Sequence, residues 1–393
     1  MNRRQVVIVG AGPAGMAAAI TLCREGVSPT VIDENPQSGG QIYRQPRNVS
    51  QQSGSNEVLK DSRGNQLHRQ FQQCREQIEH LCDNTVWGIY SHRQVACNGP
   101  DGCQMFAADH LLLATGAYEY VCPFPGWTLP GVMTTGAAQT LLRTYNVVAG
   151  KKIFIAGNGP FNIQVALELE KAGASIVGIS ESAYKPKLSS IGSIFDMFLG
   201  SPKLFFKGIS YLNELKKKKI KIKYNHVLSS IKKIGNSLDC EITPNLSSKS
   251  MNSEKISFNC DILCMGYGFL PSNTLLRNLG CEFKYDLFRK QLVLVRSEKF
   301  ETNKQGLYAV GDCAGLGGAY AACEEGIIAG INSSSSLGFK INGKQEKEYK
   351  KSFKILKRQR KFQSGFWNLY KSDLPSIMDL KDETYICRCE LVK

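Results

Sequence analysis

The chain has 393 residues, 42% of them hydrophobic, and a formal net charge of +15 from 49 lysines and arginines against 34 acids. That length allows roughly two to three domains with sizeable cores, and no apolar run approaches the ~20 residues of a spanning helix. The positive charge collects in lysine-rich stretches at 214–224 and 347–361 with no nucleic-acid module beside it, so it reads as solvated helix faces and an edge strand, the alternative being a surface for anionic lipid or an acidic protein, and not as a nucleic-acid surface.

The N-terminal "MNRRQVVIVG" runs from two arginines straight into a strand, without an apolar signal core, and the fourteen cysteines keep no regular spacing; the expected compartment is the cytoplasm, with the thiols reduced. Residues 5–35 then spell an apolar strand, the turn Gly10-x-Gly12-Pro13-x-Gly15, an alanine-rich helix and a second strand ending in acid. Gly10 permits the tight turn, Gly12 lets the backbone approach a pyrophosphate, Gly15 lets the helix lie close on the strand, and the helix N-terminus attracts phosphate charge. Asp33 and Glu34 both qualify to accept hydrogen bonds from an adenosine ribose. Glu34, read as the last strand residue, is the expected one, five positions before the pair Gly39-Gly40. At this point flavin and nicotinamide are both open.

Residues 46–64 are polar and read as a loop, and 65–81 carry apolar positions at helical spacing. A strand at 84–90 contains Val86, and the apolar run at 110–113 closes on Ala114-Thr115-Gly116. Residues 151–182 repeat the strand-turn-helix-strand unit, an internal duplication. Gly157 and Gly159 keep the first two glycine roles, but Asn162 stands where the third should be, which is expected to compromise close helix packing. Glu181 ends the repeated unit, either to meet a ribose or as a solvated strand end. Residues 306–330 hold a strand, Gly311-Asp312 and a helix. The basic helix at 352–370 presents Phe353, Phe362, Phe366 and Trp367, to anchor a partner or to dock on the first nucleotide domain. The final "YICRCELVK" places Cys387 and Cys389 one residue apart, half of a four-thiolate site. His68, His80, His92, His110 and His226 belong to no catalytic constellation, so catalytic residues stay unassigned.

Three of these segments resemble the flavoprotein disulfide-reductase superfamily, in order and over nearly the whole chain: "GGQIYRQ" (39–45), the strand closed by Ala114-Thr115-Gly116, and 306–330. The resemblance implies an α/β fold of two Rossmann-like dinucleotide-binding domains of the glutathione-reductase type, the second inserted in the first. The expected boundaries are 1–147 plus 268–340 for the FAD domain, 148–267 for the second nucleotide-binding domain, and 341–393 for a helical tail. It implies FAD as cofactor. Gly40 and Gln41 would lie in the segment crossing the flavin, Val86 in the strand that meets adenine, Thr115 and Gly116 beside the flavin, and Gly311-Asp312 on its ribityl chain. For the second domain, at Gly157, Gly159 and Glu181, NAD(P) or another adenine nucleotide stays open. The redox dithiol of the superfamily is missing: Cys97/Cys103 and Cys260/Cys264 have neither required spacing and read as structural.

A narrower resemblance rests on "FPGWTLPGVMTTGAAQTLL" (124–142), on 264–286 and on the terminal "ICRCE", together with "GGQIYRQ". These resemble the FAD subunits of hydrogen cyanide synthase, of opine oxidase (its A subunit) and of proline and hydroxyproline dehydrogenases, a group related to heteromeric sarcosine oxidase. This implies a complex that oxidises the C–N bond of an amino-acid-type amine on a partner flavoprotein, while the present chain relays electrons. Expected partners are that second flavoprotein of the amino-acid oxidase type and a small iron-sulfur subunit, which would make the chain peripheral at the inner membrane through its complex. In that group the two terminal cysteines open an iron-sulfur domain whose other ligands lie downstream. Here the chain ends at Lys393, so Cys387 and Cys389 are expected to form an incomplete metal site with no cluster held by this chain alone. Two alternatives are a stand-alone NAD(P)H-dependent FAD reductase and a non-catalytic FAD-binding partner.

Overall fold

Four consecutive apolar residues, Val6 to Val9, are buried together, as in a strand covered on both faces of a parallel sheet. The computed structural model describes residues 2–46, 62–91, 93–245, 255–372 and 382–393. Most of the expected loop at 46–64, and His92, lie outside them. In chain order the first elements are β1 (Asn2–Val9), α1 (Pro13–Arg24), β2 (Thr30–Ile32), α2 (Ser62–Gln73), β3 (Glu79–Leu81), β4 (Thr85–Tyr90), β5 (Gln94–Gly99), β6 (Gly102–Leu113) and β7 (Ala117–Glu119). Next come β8 (Val132–Thr134), α3 (Thr135–Tyr145), β9 (Lys152–Gly157), α4 (Pro160–Lys171), β10 (Ser175–Glu181), α5 (Ile191–Gly200), α6 (Pro202–Lys217), β11 (Ile222–Tyr224), β12 (His226–Ile234), β13 (Ser237–Pro244), β14 (Ile256–Cys260), β15 (Ile262–Gly266) and β16 (Phe269–Pro271). The chain closes with α7 (Thr274–Asn278), β17 (Phe283–Asp286), β18 (Gln291–Leu294), β19 (Leu307–Ala309), α8 (Gly318–Ser336) and α9 (Gly343–Leu369).

The described residues divide into two units, the first from 2–45, 62–118 and 270–361, the second from 46, 119–245, 255–269, 362–372 and 382–393. The first break falls after residue 118, not at 147. The reason is strand pairing: β8 runs parallel to β15, and α3 follows it into the second unit's core.

In the first unit the sheet order is β3-β2-β1-β6-β5-β4, with β19 also on β6. β3, β2, β1, β6 and β19 run parallel, and β4 and β5 extend the sheet as an antiparallel hairpin. The registers Val9↔Leu113 and Leu113↔Ala309 end three neighbouring strands at one level. Their C-terminal ends therefore open on one edge, where strand order reverses and ligands of such sheets bind. The expected helix at 65–81 stops at Gln73, because His80 and Leu81 pair with Val31 and Ile32 in β3. α1 and α8 pack through small residues: a Cβ on Gly326 would lie 2.2 Å from Ala14 O, and one on Gly330 3.0 Å from Thr21 Cβ.

The second unit holds a parallel sheet, β11-β10-β9-β15-β8, and an antiparallel one, β12-β13-β14. Ile153, Phe154 and Ile155 are fully buried between its two apolar clusters. The lysine-rich run at 214–224 leaves α6 and enters β11, an edge strand, as expected. The aromatic positions of α9 do not act as one docking face: Phe353 and Leu356 pack in the first unit, whereas Phe362 and Phe366 belong to the second. A Cβ on Gly200 would meet Phe362, and one on Gly365 would meet Ser193 and Met197. Of the two readings, docking on the first nucleotide domain thus holds for Phe353 and not for Phe362, Phe366 and Trp367, which belong to the second unit. Among the described residues no helix is long and apolar enough to cross a membrane.

Candidate functional site

The edge left by β1, β6 and β19 is lined by the three turns that follow them. Gly10 has φ +102°, and a Cβ there would sit 2.4 Å from Ala114 O, so only glycine lets the two turns meet. At Gly15 a Cβ would strike Gly10 O at 1.8 Å. Pro13 occupies the first helical position, where its missing N–H costs nothing. Gly39 N donates to Ala11 O at 2.8 Å, and Gly40 would bring a Cβ to 2.9 Å from the Gly12 Cα. The glycine pair therefore lies directly on the first turn. Gln41 follows it at the surface, its Oε1 accepting from Arg44 at 2.5 Å.

On the neighbouring strands, Thr115 Oγ1 donates to Ser272 O at 2.7 Å, and Gly116 (φ +71°) has open space where a side chain would be. Gly311 (φ +74°) would place a Cβ 3.0 Å from Ala14 Cβ. Asp312 Oδ1 accepts from Gly317 N at 2.7 Å and Gly318 N at 2.8 Å, holding the start of α8, while burial pushes its carboxyl up. The structure thus brings Gly10, Gly12, Pro13, Gly15, Gly40, Gln41, Thr115, Gly116, Gly311 and Asp312 to one sheet edge. Val86 stands at the start of β4, half-buried against a core cluster that includes Val95 and Phe106. It follows the 82–84 turn, whose Asn84 N donates to Asp33 O at 2.9 Å.

The acid is corrected. β2 ends at Ile32, so Glu34 is not its last residue, and Glu34 is exposed. Asp33 is buried instead; its Oδ2 accepts from Ala11 N at 2.5 Å and its Oδ1 from Asn35 N at 2.8 Å. Val9 pairs with Ile32, so Gly10 is level with Asp33; in the second unit Gly157 pairs with Glu181. Asp33, one residue before the expected one, is the counterpart of Glu181.

Two groups were missed by sequence reasoning. Glu325 forms a bidentate pair with Arg296, both contacts 2.9 Å, and its Oε2 also accepts from Gly311 N at 2.9 Å. Arg296 donates in turn to Ala309 O at 2.6 Å and lies over the Phe300 ring. This largely buried pair clamps the Gly311-Asp312 turn, and removing one partner of such a pair costs about 3–5 kcal/mol. Glu324 likewise holds Arg63, which lies over Tyr320. The only trace in the sequence was two acids in a helix of small residues, "AACEEG".

The second turn differs. Asn162 does not loosen the packing as expected. It is buried, donates to Gly266 O at 2.8 Å and accepts from Thr135 Oγ1 at 3.0 Å. Gly266 makes this room: a Cβ there would lie 2.0 Å from Asn162 Oδ1. Gly159 (φ +93°) has nothing within 4 Å of the place a Cβ would take, so the turn itself is open. Glu181 is not a solvated strand end: it is 3% exposed, accepts from Gly159 N and Ala183 N at 2.9 Å each, and burial pushes its carboxyl up to about 7. Asn158 Nδ2 donates to Tyr370 O at 3.1 Å, and Asn245 Nδ2 to Ser372 Oγ at 3.0 Å. Burial beside Glu181 and Tyr224 also raises the Tyr370 phenol. The chain's own residues 370 and 372 are thus bonded to Asn158 of this turn and to Asn245.

Near the C-terminus, Cys387 N donates to Val392 O at 3.2 Å in a short hairpin, and Trp127 Nε1 donates to Tyr385 O at 2.5 Å. Cys387 is half-buried and Cys389 exposed, both as free thiols. Among the described residues no three His, Cys, Asp or Glu side chains converge as metal ligands.

The profile of the pyridine nucleotide-disulphide oxidoreductases matches residues 4–326. The chain belongs to that family. The A subunit of opine oxidase from Rhizobium meliloti is 30% identical over 393 residues, covering 98% of this chain and 73% of the relative, so the chain also belongs to the family of opine oxidase A subunits. Hydrogen cyanide synthase subunit HcnB from Pseudomonas aeruginosa is 29% identical, covering 100% of this chain and 84% of the relative. Among solved structures, L-proline dehydrogenase from P. horikoshii superposes with a TM-score of 0.61 at 17% identity, covering 98% of this chain, which spans 64% of that one. Thioredoxin reductase from T. acidophilum gives 0.61 at 18% identity, covering 86% and 99%. These two show the fold. Family membership implies FAD and nucleotide binding. The first turn fits a dinucleotide: side chains are excluded by backbone at Gly10, Gly15 and Gly40, and Gly12 has only the Gly40 Cα, at 3.8 Å, near its vacant Cβ position.

Proposed function

We propose that this chain is the FAD-carrying, electron-relay subunit of a heteromeric dehydrogenase or oxidase acting on the C–N bond of an amino-acid-type amine, of the opine, glycine or proline kind. The observation that carries this reading is the contrast between the two glycine turns. The first is ringed by glycine backbone and by the Asp312 carboxyl; at the second, Asn158, which bonds the acid, also donates to Tyr370 O of the chain itself. A relay subunit needs a flavin site but no working nicotinamide site, whereas a stand-alone NAD(P)H reductase needs both.

In this reading Gly10, Gly12 and the start of α1 hold the diphosphate, and Asp33 accepts from the ribose. Gly40, Gln41, Thr115 and Gly116 flank the flavin end, Val86 lies towards the adenine, and Gly311 and Asp312 hold the ribityl chain. Bound there, FAD would take up electrons and pass them on. Gly157, Gly159 and Glu181 remain a nucleotide turn tied to Tyr370 O through Asn158. The partners are a second flavoprotein that takes the amine and an iron-sulfur subunit, to which Cys387 and Cys389 would lend two thiolates. Action within the cytoplasm is part of the same reading.

Anaerobic titration tests it. The purified protein should be yellow, NADH should leave its visible absorbance unchanged, and the amine should bleach it only once the partner flavoprotein is added. Rapid bleaching of the isolated chain by NADH would overturn the relay reading in favour of a stand-alone reductase. Colourless protein that takes up no FAD would remove both.

A further inference from the structure

After Glu181 the second unit carries an apolar surface that the relay reading does not use. Leu188 is 90% exposed, Ile191 67%, and Phe195 and Phe206 58% each. Ile191, Phe195 and Leu199, spaced i, i+4 and i+8, form one outward stripe of α5. The orientation of that stripe is set from behind: Gly365 of α9 packs on Ser193 and Met197, and Gly200 lies against Phe362. On α6, Lys203, Phe206, Lys207 and Ser210 share one outward helical face, and Ile209 is exposed beside it.

Two further exposed lysines, Lys185 and Lys187, precede the stripe, so four cations lie between 185 and 207 against a single acid, Asp196. Asp196 is half-buried and off the exposed stripe. Exposed Phe, Ile and Leu with lysines alongside and no outward acid are the composition of a helix face that enters a lipid headgroup layer. A second copy of the same face would bring like charges together, which disfavours self-association.

We propose that α5 and the first turns of α6 form a docking surface for an anionic lipid bilayer, with Phe195, Ile191 and Phe206 entering the interface and Lys185, Lys187, Lys203 and Lys207 meeting lipid phosphates. The surface acts through the chain itself, without any partner protein and independently of the relay reading.

The test uses the full chain with flavin added, sedimented with vesicles of phosphatidylcholine alone or with about one third phosphatidylglycerol. Binding is expected on the anionic vesicles, on the order of tenfold tighter than on neutral ones, and weakened by salt. The double variant Phe195→Ser/Phe206→Ser, and separately Lys185, Lys187, Lys203 and Lys207 all →Gln, should each lose about tenfold. The lysine variant alters exposed side chains only, so it keeps the test open should the first fail to fold. Equal or absent binding to both vesicle types overturns the proposal, as does parent-like binding by a folded variant. Gel filtration showing a dimer that the serine pair dissolves, without vesicle binding, would assign the surface to protein association instead.

Discussion

At the scale of single residues, the two acids after β2 separate by burial. Asp33 is locked onto the backbone of the first turn, whereas Glu34 points to solvent. Hydrogen bonds to a charged acceptor contribute about 1.5–3 kcal/mol each. Asp33→Asn should therefore weaken FAD retention by roughly 10- to 100-fold, while Glu34→Gln stays near the parent; FAD titration of the apoprotein measures both, and the opposite ranking would return the ribose to Glu34. Glu181 makes a different kind of prediction. Its carboxyl is pushed from 4.5 up to about 7 by burial, so the folded state holds its proton more tightly than the unfolded state does. The associated stability is fully present below the unfolded value and is lost as pH rises through about 7. Between these limits the parent should lose on the order of 3 kcal/mol more than Glu181→Gln, read from denaturant unfolding at pH 5 and pH 8. Parallel pH profiles would show that Glu181 ionises normally.

At the scale of elements, both nucleotide units depend on what glycine leaves out. The strand-turn-helix units were legible because φ and the missing Cβ are local demands, met by Gly10, Gly15, Gly157 and Gly159 at the expected spacing. The α1–α8 packing was less legible, since Gly326 is required by Ala14, more than three hundred residues away in the chain. Gly326→Val would force its new atoms into the Ala14 carbonyl. It should cost about 3 kcal/mol or leave the protein insoluble, whereas Gly343→Ala, which meets nothing within 4 Å, should unfold like the parent. Asn162 shows the limit of motif reading. A rule about the third glycine forecast loose packing, but Gly266 on another strand supplies the missing space. α9 teaches the same point, for its aromatic residues were readable as a helix face while their division between two units was not.

For the whole molecule, fourteen thiols offer a test of the fold. Cys103 and Cys389 are exposed; Cys74, Cys82 and Cys387 are half-buried, and the other nine are buried. Burial pushes Cys23 up to about 12 and Cys122 up to about 11, which suppresses their thiolates. A thiol-specific chromogenic reagent should find two fast sites in the folded protein and all fourteen after unfolding. Fewer than fourteen in the unfolded, unreduced chain would mean that a disulfide forms. The sequence by itself determined the paired nucleotide units, the likeness to heteromeric amine dehydrogenase subunits and the absence of a spaced redox dithiol, because each is written in short-range spacing. Only the tertiary structure decided which acid faces the first turn, that Glu325 and Arg296 clamp the Gly311-Asp312 turn, and that Tyr370 O accepts from Asn158 of the second turn. Those outcomes depend on burial and on contacts between residues far apart in the chain, and no local pattern encodes them.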